Sequence, residues 1–246
     1  MKNDSEIEQL RKANRIVALI LDALGQMVRP GVKTMEFEDK AVSMCRELGV
    51  QPAFKGYNGF PFALCCSVNE EIVHGFPSDR KLVEGDIVSL DMGVIFEGFY
   101  GDAARTFPVG KVDGTTHRLL DVTQEALMSG IEKARPGNNL YDVSAAIQYC
   151  AEEAGFGVVR RFVGHGIGRK LHEKPEVPNF VPVGSTGLTL KAGMVLAIEP
   201  MITVGSAEVL ILSDKWTAIT RDHSLSAHFE HSVAITTDGP YILSVV

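Results

Sequence analysis

The chain has 246 residues, of which 45% are hydrophobic, and a formal net charge of −7. This length and apolar content suit one large domain or two small ones with a buried core. The acidic balance argues against a nucleic-acid partner, which would need a basic surface. No apolar run reaches the roughly 18–20 residues that would cross a bilayer, so no membrane partner is expected.

The N-terminal segment predicts an amphipathic helix rather than a secretion signal. Ile16–Leu21 is apolar, but acidic residues precede it and no small-residue cleavage site follows. Ser5 and Glu8 have the spacing of a capping box, which predicts the start of the helix. The four cysteines match no zinc pattern, so they are expected to be reduced thiols. Together these features indicate a mature cytoplasmic protein.

The chain contains an internal repeat. The tripeptide Arg-Pro-Gly occurs at Arg29–Gly31 and at Arg135–Gly137, an offset of 135 − 29 = 106, and Gly49 and Gly155 have the same offset. Each repeat reads as a helix, a Pro-Gly stop, a second helix that ends at glycine, and then strands. We therefore expect a single domain, 1–246, made of two similar halves at about 1–112 and 113–246.

Strand-like runs follow the helices in both halves and predict antiparallel pairing. The first half contains "DIVSLDMGVIF" and "GFYGDAARTFPVG". The second half contains "VVRRFVGHG", "MVLAIEPMITV", "EVLILSD", "KWTAIT" and "HFEHSVAIT". Helices first and hairpins after predict an α+β fold in which helices cover one face of a curved antiparallel sheet.

Two acids interrupt the most strand-like segment. A turn at Phe96–Glu97 would place Asp91 directly opposite Asp102, whereas a turn at Glu97–Gly98 would make the pair diagonal on the same face. A single acid in a strand is more often solvated at an edge or turn. Two carboxylates close together in a half-buried site need a cation or a shared proton.

The second half adds three more residues of the kind that bind metals, each among apolar neighbours. They are His165 in "FVGHGIG", Glu199 in "LAIEPM" and Glu230 in "AHFEHS". Four carboxylates and one imidazole predict a two-metal site where the halves meet, of the kind that hydrolyses carbonyl or phosphoryl centres. The oxygen-rich donor set favours Mn²⁺, Fe²⁺ or Co²⁺ over a thiolate zinc site.

Seven motifs in order resemble the methionine aminopeptidase family. They are "NEEIVHGFP", "SLDMGV", "YGDAART", "GHGIG", "LHEKP", "AIEPM" and "SLSAHFEHS". The resemblance runs from about Ile7 to the C-terminus and implies the pita-bread fold, a pseudo-twofold duplication around a central metal site. Glu230 follows Glu199 by 230 − 199 = 31 positions. That spacing leaves no room for the helical insertion of type II enzymes, so the resemblance is to type I.

The resemblance implies a role for each candidate ligand. Asp91 would bind one of two divalent ions (Co, Mn, Fe or Zn), and His165 and Glu199 the other. Asp102 and Glu230 would bridge both ions. A metal-bound hydroxide would attack the first peptide bond, and Glu199 would carry the proton.

The resemblance also implies the substrate contacts. His74 and His172 match the two histidines that contact the substrate, one near the scissile amide and one that stabilises the tetrahedral intermediate. The methionine pocket would be lined by Tyr57, Phe60, Cys65, His74, Leu171 and Trp216. Phe60 and Leu171 replace a frequent tyrosine and a frequent aromatic residue but keep the wall apolar.

The remaining histidines have weaker assignments. His117 and His223 are expected at the surface, and His231 on the strand face away from Glu230. His228 shares the face of Glu230, where the family usually has glutamine. His228 either affects the site from behind the ligands or replaces the glutamine without functional consequence.

The function implied is removal of the initiator methionine from nascent proteins and peptides when the second residue is small. The expected setting is a cytoplasmic monomer acting at the ribosome, without an N-terminal zinc module. One alternative is an Xaa-Pro peptidase of the same fold, which usually carries a large extra N-terminal domain. Another is a metal-free peptide-binding module, although such relatives typically lose ligands. A scaffold with incidental acids would leave five ionisable groups unpaired in a core.

Overall fold

The computed structural model describes residues 1–246 and contains four helices, one nine-stranded sheet and two three-stranded sheets. The helices are α1 (Asp4–Gly25), α2 (Thr34–Glu47), α3 (Gly114–Lys133) and α4 (Leu140–Glu153), and a short 3₁₀ helix covers Tyr57–Gly59. The strands are β1 (Gln51–Pro52), β2 (Leu64–Val68), β3 (Glu71–Val73), β4 (Ile87–Phe96), β5 (Phe99–Pro108), β6 (Gly157–Val158), β7 (Gly164–Gly166), β8 (Glu173–Val177), β9 (Val195–Ile198), β10 (Met201–Thr203), β11 (Val209–Ile211), β12 (Ala218–Thr220), β13 (Ser226–His228), β14 (Glu230–Thr236) and β15 (Gly239–Ile242).

The large sheet crosses from the first half of the chain to the second. Its strand order is β1-β4-β5-β14-β9-β7-β8, with β2 beside β4 and β15 beside β14. The crossing is the β5–β14 pair, in which Glu230 lies opposite Ala104 and His231 opposite Ala103. The two small sheets have the orders β13-β10-β6 and β11-β12-β3. All these pairings are antiparallel, as the hairpin pattern predicted.

Helix α1 packs its apolar face on the long hairpin β4–β5. Its buried residues recur at helical spacing, and they are Leu10, Ala13, Asn14, Val17, Ala18, Ile20, Leu21 and Leu24. The capping box is formed by Asn3 and Glu6, so the predicted pair Ser5 and Glu8 was wrong. Asn3 has the extended backbone that an N-cap requires, whereas Ser5 already lies inside the helix. None of the helices is long and apolar enough to cross a membrane.

The repeated sequence corresponds to matching helices and turns. Helices α2 and α4 both have 14 residues, and their first residues are 140 − 34 = 106 positions apart. Gly31 and Gly137 precede these helices with the same φ of 90°. Gly49 and Gly155 follow them, also with positive φ. A residue with a Cβ would be strained in this left-handed region, which explains glycine at all four positions.

The hairpin β4–β5 turns at Glu97–Gly98, so the diagonal arrangement of the two aspartates is the one observed. Glu97 and Gly98 both have positive φ, 51° and 79°, as a two-residue turn of type I′ requires. In this register Asp91 lies opposite Ala104 and Asp102 opposite Gly93.

Three of the predicted strands of the second half are broken rather than continuous. "VVRRFVGHG" divides into β6 and β7, "MVLAIEPMITV" into β9 and β10 at Glu199–Pro200, and "HFEHSVAIT" into β13 and β14 at Phe229. In each case one part belongs to the large sheet and the other to the small sheet β13-β10-β6. At one break Pro200 lacks the N–H that a continuous ladder would need. The breaks place Glu199 and Glu230 at the junction of the two sheets.

Candidate active site

A cavity of about 210 Å³ opens at this junction. Its wall contains all twelve residues predicted from the sequence as ligands, catalytic groups or pocket residues. The wall also contains Phe54 and Asn58, which were not predicted. The lining residues are Phe54, Tyr57, Asn58, Phe60, Cys65, His74, Asp91, Asp102, His165, Leu171, His172, Glu199, Trp216 and Glu230. The polar and apolar candidates therefore face one space.

The backbone of Asp102 is fixed by two buried side chains. Asn14 of α1 accepts the Asp102 N–H at 3.1 Å and donates its amide to the Leu10 carbonyl at 2.9 Å. Ser232 of β14 donates its hydroxyl to the Asp102 carbonyl at 2.9 Å. A helix of the first half and a strand of the second therefore both hold this acid in position.

The imidazole of His165 faces the carboxylates through one nitrogen. Its Nδ1 lies 3.0 Å from the Gly166 carbonyl, which can only accept, so Nδ1 carries the proton. The unprotonated Nε2 lies 3.5 Å from Glu199 Oε1 and 3.8 Å from Asp102 Oδ2. Ligand atoms of Asp102, His165 and Glu230 all lie within 4.8 Å of one another. This spacing suits donors that converge on a cation.

Several oxygens of the cluster are buried without a hydrogen-bond donor. These atoms are Oδ1 of Asp91, Oδ1 of Asp102 and Oε1 of Glu230. Burial raises the pKa of Asp91 to about 7 and the pKa of Glu199 to about 8. Burial, and then repulsion from the neighbouring acids, also raises the pKa of Asp102 and of Glu230 well above the usual range. Unpartnered carboxylate oxygens beside an imidazole nitrogen form a donor set that fits divalent cations.

The apolar side of the cavity is built from aromatic and sulfur-containing side chains. Phe60, Cys65 and Leu171 are buried in one cluster, and Tyr57 and Trp216 pack against it. The rings of Phe60 and Trp216 meet edge to face with centroids 5.1 Å apart. This arrangement suits aromatic pairs and leaves apolar edges toward the cavity.

The two candidate catalytic histidines occupy different environments. His74 has a left-handed backbone, φ 61°, and its ring packs edge to face against Phe162 and Trp216. Burial lowers the pKa of His74 to about 4, so its ring is neutral at neutral pH. The His172 side chain is exposed, and its Nδ1 lies 2.8 Å from the Tyr57 hydroxyl.

The glycines of "GHGIG" let the neighbouring strands approach β7 closely. A Cβ at Gly164 would collide with the Ala197 carbonyl of β9, and one at Gly166 with the Lys174 carbonyl of β8. His165 is thereby held between two close strands.

The other histidines lie outside the cavity wall. His117 and His223 are exposed, and His231 shares a hydrogen bond of 2.8 Å with the Ser244 hydroxyl. His228 is buried behind the wall, with Nε2 at 3.6 Å from Glu199 Oε2.

Supporting asparagines were missed by the sequence analysis. Asn14 falls within the apolar stripe of α1 between Leu10 and Val17, and a polar residue there was a usable signal of a buried partner. Asn179 donates its amide to the Glu199 carbonyl at 3.0 Å, and nothing local in the sequence marks it. Phe54 and Asn58 lie in loop and 3₁₀ segments without strand or helix periodicity.

The fold and this cluster together define a metal-dependent peptidase, and residues 8–237 match the model of metallopeptidase family M24. The chain belongs to that family. It is 50% identical over 246 residues to a methionine aminopeptidase of Clostridium perfringens, covering 100% of this chain and 98% of the relative. The structure of a methionine aminopeptidase from Thermotoga maritima superimposes with a TM-score of 0.96 at 46% identity, covering 100% of this chain and 98% of the other.

More distant structures share the fold alone. A prolidase from Pyrococcus furiosus superimposes with a TM-score of 0.81 at 24% identity, and the match covers 100% of this chain but 65% of the prolidase. The α+β class and the pita-bread fold implied by the resemblance are confirmed. Membership of this family also confirms the prediction that the chain is a hydrolase that uses divalent metal ions.

Proposed function

We propose that this protein removes the N-terminal methionine from peptides and nascent proteins when the second residue is small. The observation that carries the proposal is that a charged, cation-compatible cluster and an apolar wall share one cavity of about 210 Å³. This volume is below the roughly 300–1,000 Å³ of pockets for drug-sized ligands. It suits a single amino-acid side chain next to the bond that is cut. The names of the relatives support the choice of methionine.

In this proposal the five polar residues bind two divalent ions. Asp91 would hold one ion, His165 and Glu199 would hold the other, and Asp102 and Glu230 would contribute to binding both. When bound, the ions polarise the scissile carbonyl and lower the pKa of water toward neutrality. The four carboxylates favour Mn²⁺, Fe²⁺ or Co²⁺, and zinc is the weaker candidate.

Glu199 is the group we assign to proton transfer. One of its oxygens faces His165 and the other faces His228. Without a bound cation, burial raises its pKa to about 8. A general base must also reach the proton that it transfers, and Glu199 lies in the cavity wall beside the other ligands. The Asn179 amide fixes its carbonyl, so the side chain projects from an anchored position.

His74 and His172 are assigned to substrate binding. His74 is neutral at physiological pH and can donate one hydrogen bond without bringing positive charge beside the cations. The Tyr57 hydroxyl lies 2.8 Å from His172 Nδ1. With this hydroxyl as the donor to Nδ1, the Nε2–H of His172 is left to donate toward the substrate. Such donors stabilise the oxygen charge that develops in the tetrahedral intermediate.

The apolar wall is assigned to selection of methionine. Tyr57, Phe60 and Trp216 present aromatic surface, and Cys65 adds a polarisable sulfur. A thioether makes favourable contacts with aromatic rings. Leu171 adds a further apolar side chain to the wall, and an apolar pocket of limited volume discriminates by side-chain size.

We further infer that residues 1–246 act as one catalytic unit and as a monomer in the cytoplasm, on chains that emerge from the ribosome. The candidate ligands, catalytic groups and pocket residues of this chain all line one cavity. The large sheet joins both halves through β5 and β14. The four cysteines are free thiols, in keeping with a reducing compartment.

The test is peptide cleavage after chelation and after re-addition of single metal ions. The substrates are Met-Ala-Ser, Met-Lys-Ser and Ala-Pro-Ser, followed by mass spectrometry. The proposal predicts metal-dependent release of methionine from Met-Ala-Ser alone. Cleavage of Ala-Pro-Ser in preference would assign an Xaa-Pro peptidase, and folded protein without turnover in any metal would contradict an enzyme.

A further inference from the structure

His228 is buried beside the charged cluster without a hydrogen bond from its ring. The residue is 1% exposed, and neither Nδ1 nor Nε2 has a partner within hydrogen-bond distance. A buried imidazole without a partner costs free energy, so apolar packing alone does not account for it. No role assigned above uses this residue.

The backbone of His228 is fixed by hydrogen bonds to the buried Thr106 hydroxyl. The Thr106 hydroxyl accepts the His228 N–H at 2.9 Å and donates to the His228 carbonyl at 2.8 Å. Because that hydroxyl has only one proton, the Ser89 hydroxyl, at 2.8 Å, donates to it. His228 also lies opposite Met201 in the β10–β13 pair. The ring is thus anchored on a strand adjacent to the break that carries Glu199.

The Glu199 carboxylate lies between two imidazoles. Its Oε1 is 3.5 Å from His165 Nε2, and its Oε2 is 3.6 Å from His228 Nε2. The His165 nitrogen is unprotonated and is available to a cation. The His228 nitrogen faces the opposite oxygen, where a proton on the ring would form a hydrogen bond after a small approach.

A neutral His228 ring fits this position. Neither ring nitrogen has another hydrogen-bond partner, so either one is free to carry the proton. A neutral imidazole has one donor and one acceptor. With the proton on Nε2, the donor faces Glu199.

We propose that His228 is a positioning residue that donates from Nε2 to Glu199 Oε2 and so keeps Oε1 turned toward His165 and the cation site. This inference rests on the proposed function, in which Glu199 is both a ligand and the proton carrier. Groups that hydrogen-bond a ligand fix its orientation and raise its affinity for the metal.

Two substitutions separate the hydrogen bond from the packing. His228→Gln keeps an N–H donor at similar reach, and His228→Leu keeps the bulk without a donor. His231→Gln is the matched control, because it changes a half-buried imidazole of the same segment that hydrogen-bonds Ser244 instead of Glu199. The readouts are the Mn²⁺ dissociation constant from calorimetry, and kcat and KM for Met-Ala-Ser.

For His228→Leu we expect Mn²⁺ binding weaker by about 10–100-fold and kcat lower by a similar factor, with KM nearly unchanged. For His228→Gln we expect the Mn²⁺ dissociation constant and kcat within roughly threefold of the parent, because the amide restores the donor. We expect the same for His231→Gln, because that change leaves Glu199 untouched.

The inference is overturned if His228→Leu binds Mn²⁺ and turns over like the parent. It is also overturned if His228→Gln is as impaired as His228→Leu, because the donor would then not matter. If the parent cleaves no methionyl peptide, the proposed function fails separately, and the order of the Mn²⁺ dissociation constants alone decides the role of His228.

Discussion

The two sides of the cavity differ in how they affect the stability of the protein. On the charged side, burial raises the pKa values of all four acids, and repulsion from neighbouring acids raises those of Asp91, Asp102 and Glu230 further. On the apolar side, the aromatic cluster around Phe60 is stabilised by its own packing. The charged side is therefore kept in place by the rest of the fold, whereas the apolar side contributes to that fold.

The two sides also differ in the elements that carry them. Asp91 and Asp102 lie within ten-residue strands, and Glu230 begins a seven-residue strand. Tyr57 lies in a 3₁₀ turn, and Leu171 lies in the loop before β8. Groups that must converge on a cation benefit from rigid strands, whereas loops tolerate the variation that adjusts specificity.

The largest effect is expected for Asp102→Asn, which changes the charged side alone. Activity on Met-Ala-Ser should fall by more than about 100-fold, since even changes behind a ligand cost 10–100-fold. The metal-free protein should become more stable, because one of four neighbouring acids is removed. Each kcal/mol gained in the free energy of unfolding corresponds to a rise in Tm of about 2–4 °C. Calorimetric unfolding after chelation checks this, with the exposed Asp121→Asn as the control. A lower Tm for Asp102→Asn would contradict the inference that the charged side destabilises the metal-free protein.

Phe60→Ala should have the opposite effect on stability. The side chain is 4% exposed and contacts the rings of Phe62, Phe76 and Trp216. Its removal should lower the free energy of unfolding by about 3 kcal/mol and raise KM for Met-Ala-Ser by roughly tenfold or more, with less effect on kcat. Urea unfolding and steady-state kinetics measure both. Phe60→Tyr, which retains the ring, should stay close to the parent, and an unchanged KM for Phe60→Ala would remove Phe60 from the substrate wall.

The pH dependence of metal-free stability tests the charged side without mutation. The folded pKa values of about 7 for Asp91 and about 8 for Glu199 exceed their ordinary values of 3.8 and 4.5, so unfolding releases protons and stability falls as pH rises through this range. His74 and His165, with pKa values of about 4 against 6.5, act in the opposite direction, but only below pH 6.5.

Between pH 6.5 and 8 the carboxyl effect therefore remains, at up to about 1.4 kcal/mol per pH unit for each proton released. Urea midpoints of the chelated protein should decrease over that interval, and saturating Mn²⁺ should abolish the decrease. A midpoint that rises with pH in the chelated protein would mean that the acids are not protonated in the fold.

The smallest effect is expected for Tyr57→Phe, where the two sides meet. The change removes the hydroxyl that lies 2.8 Å from His172 Nδ1 but keeps the ring. A neutral hydrogen bond contributes about 1 kcal/mol, so kcat/KM should fall by about threefold to tenfold with little change in stability. Tyr141→Phe, which removes an exposed hydroxyl bonded to Ser185, is the matched control and should leave kcat/KM unchanged. Equal kinetics for both variants would show that Tyr57 does not orient His172.

The sequence predicted the regular parts of the fold well because their signals are local. The alternation of β4 and β5 and the Pro-Gly stops before α2 and α4 are properties of short segments. The capping box was misplaced because two overlapping segments, Asn3 to Glu6 and Ser5 to Glu8, have the same spacing. The breaks at Pro200 and Phe229 were missed because an apolar run does not reveal that its two ends pair with different sheets.

The polar candidates could be named from the sequence because acids are conspicuous among apolar strand residues, as with Asp91 and Glu199. The apolar wall depended on the resemblance, since Phe60 and Leu171 look like any core residues. Asn179 could not be found, because its bond to the Glu199 carbonyl joins segments that only the fold brings together.

If the acids of this cavity hold divalent cations, calorimetric titration of Mn²⁺ into the chelated protein and into Asp102→Asn should distinguish the two proteins. We expect saturable binding to the parent that is lost, or weakened by at least about 100-fold, in the variant. Equal binding to both proteins, or none to the folded parent, would contradict this expectation.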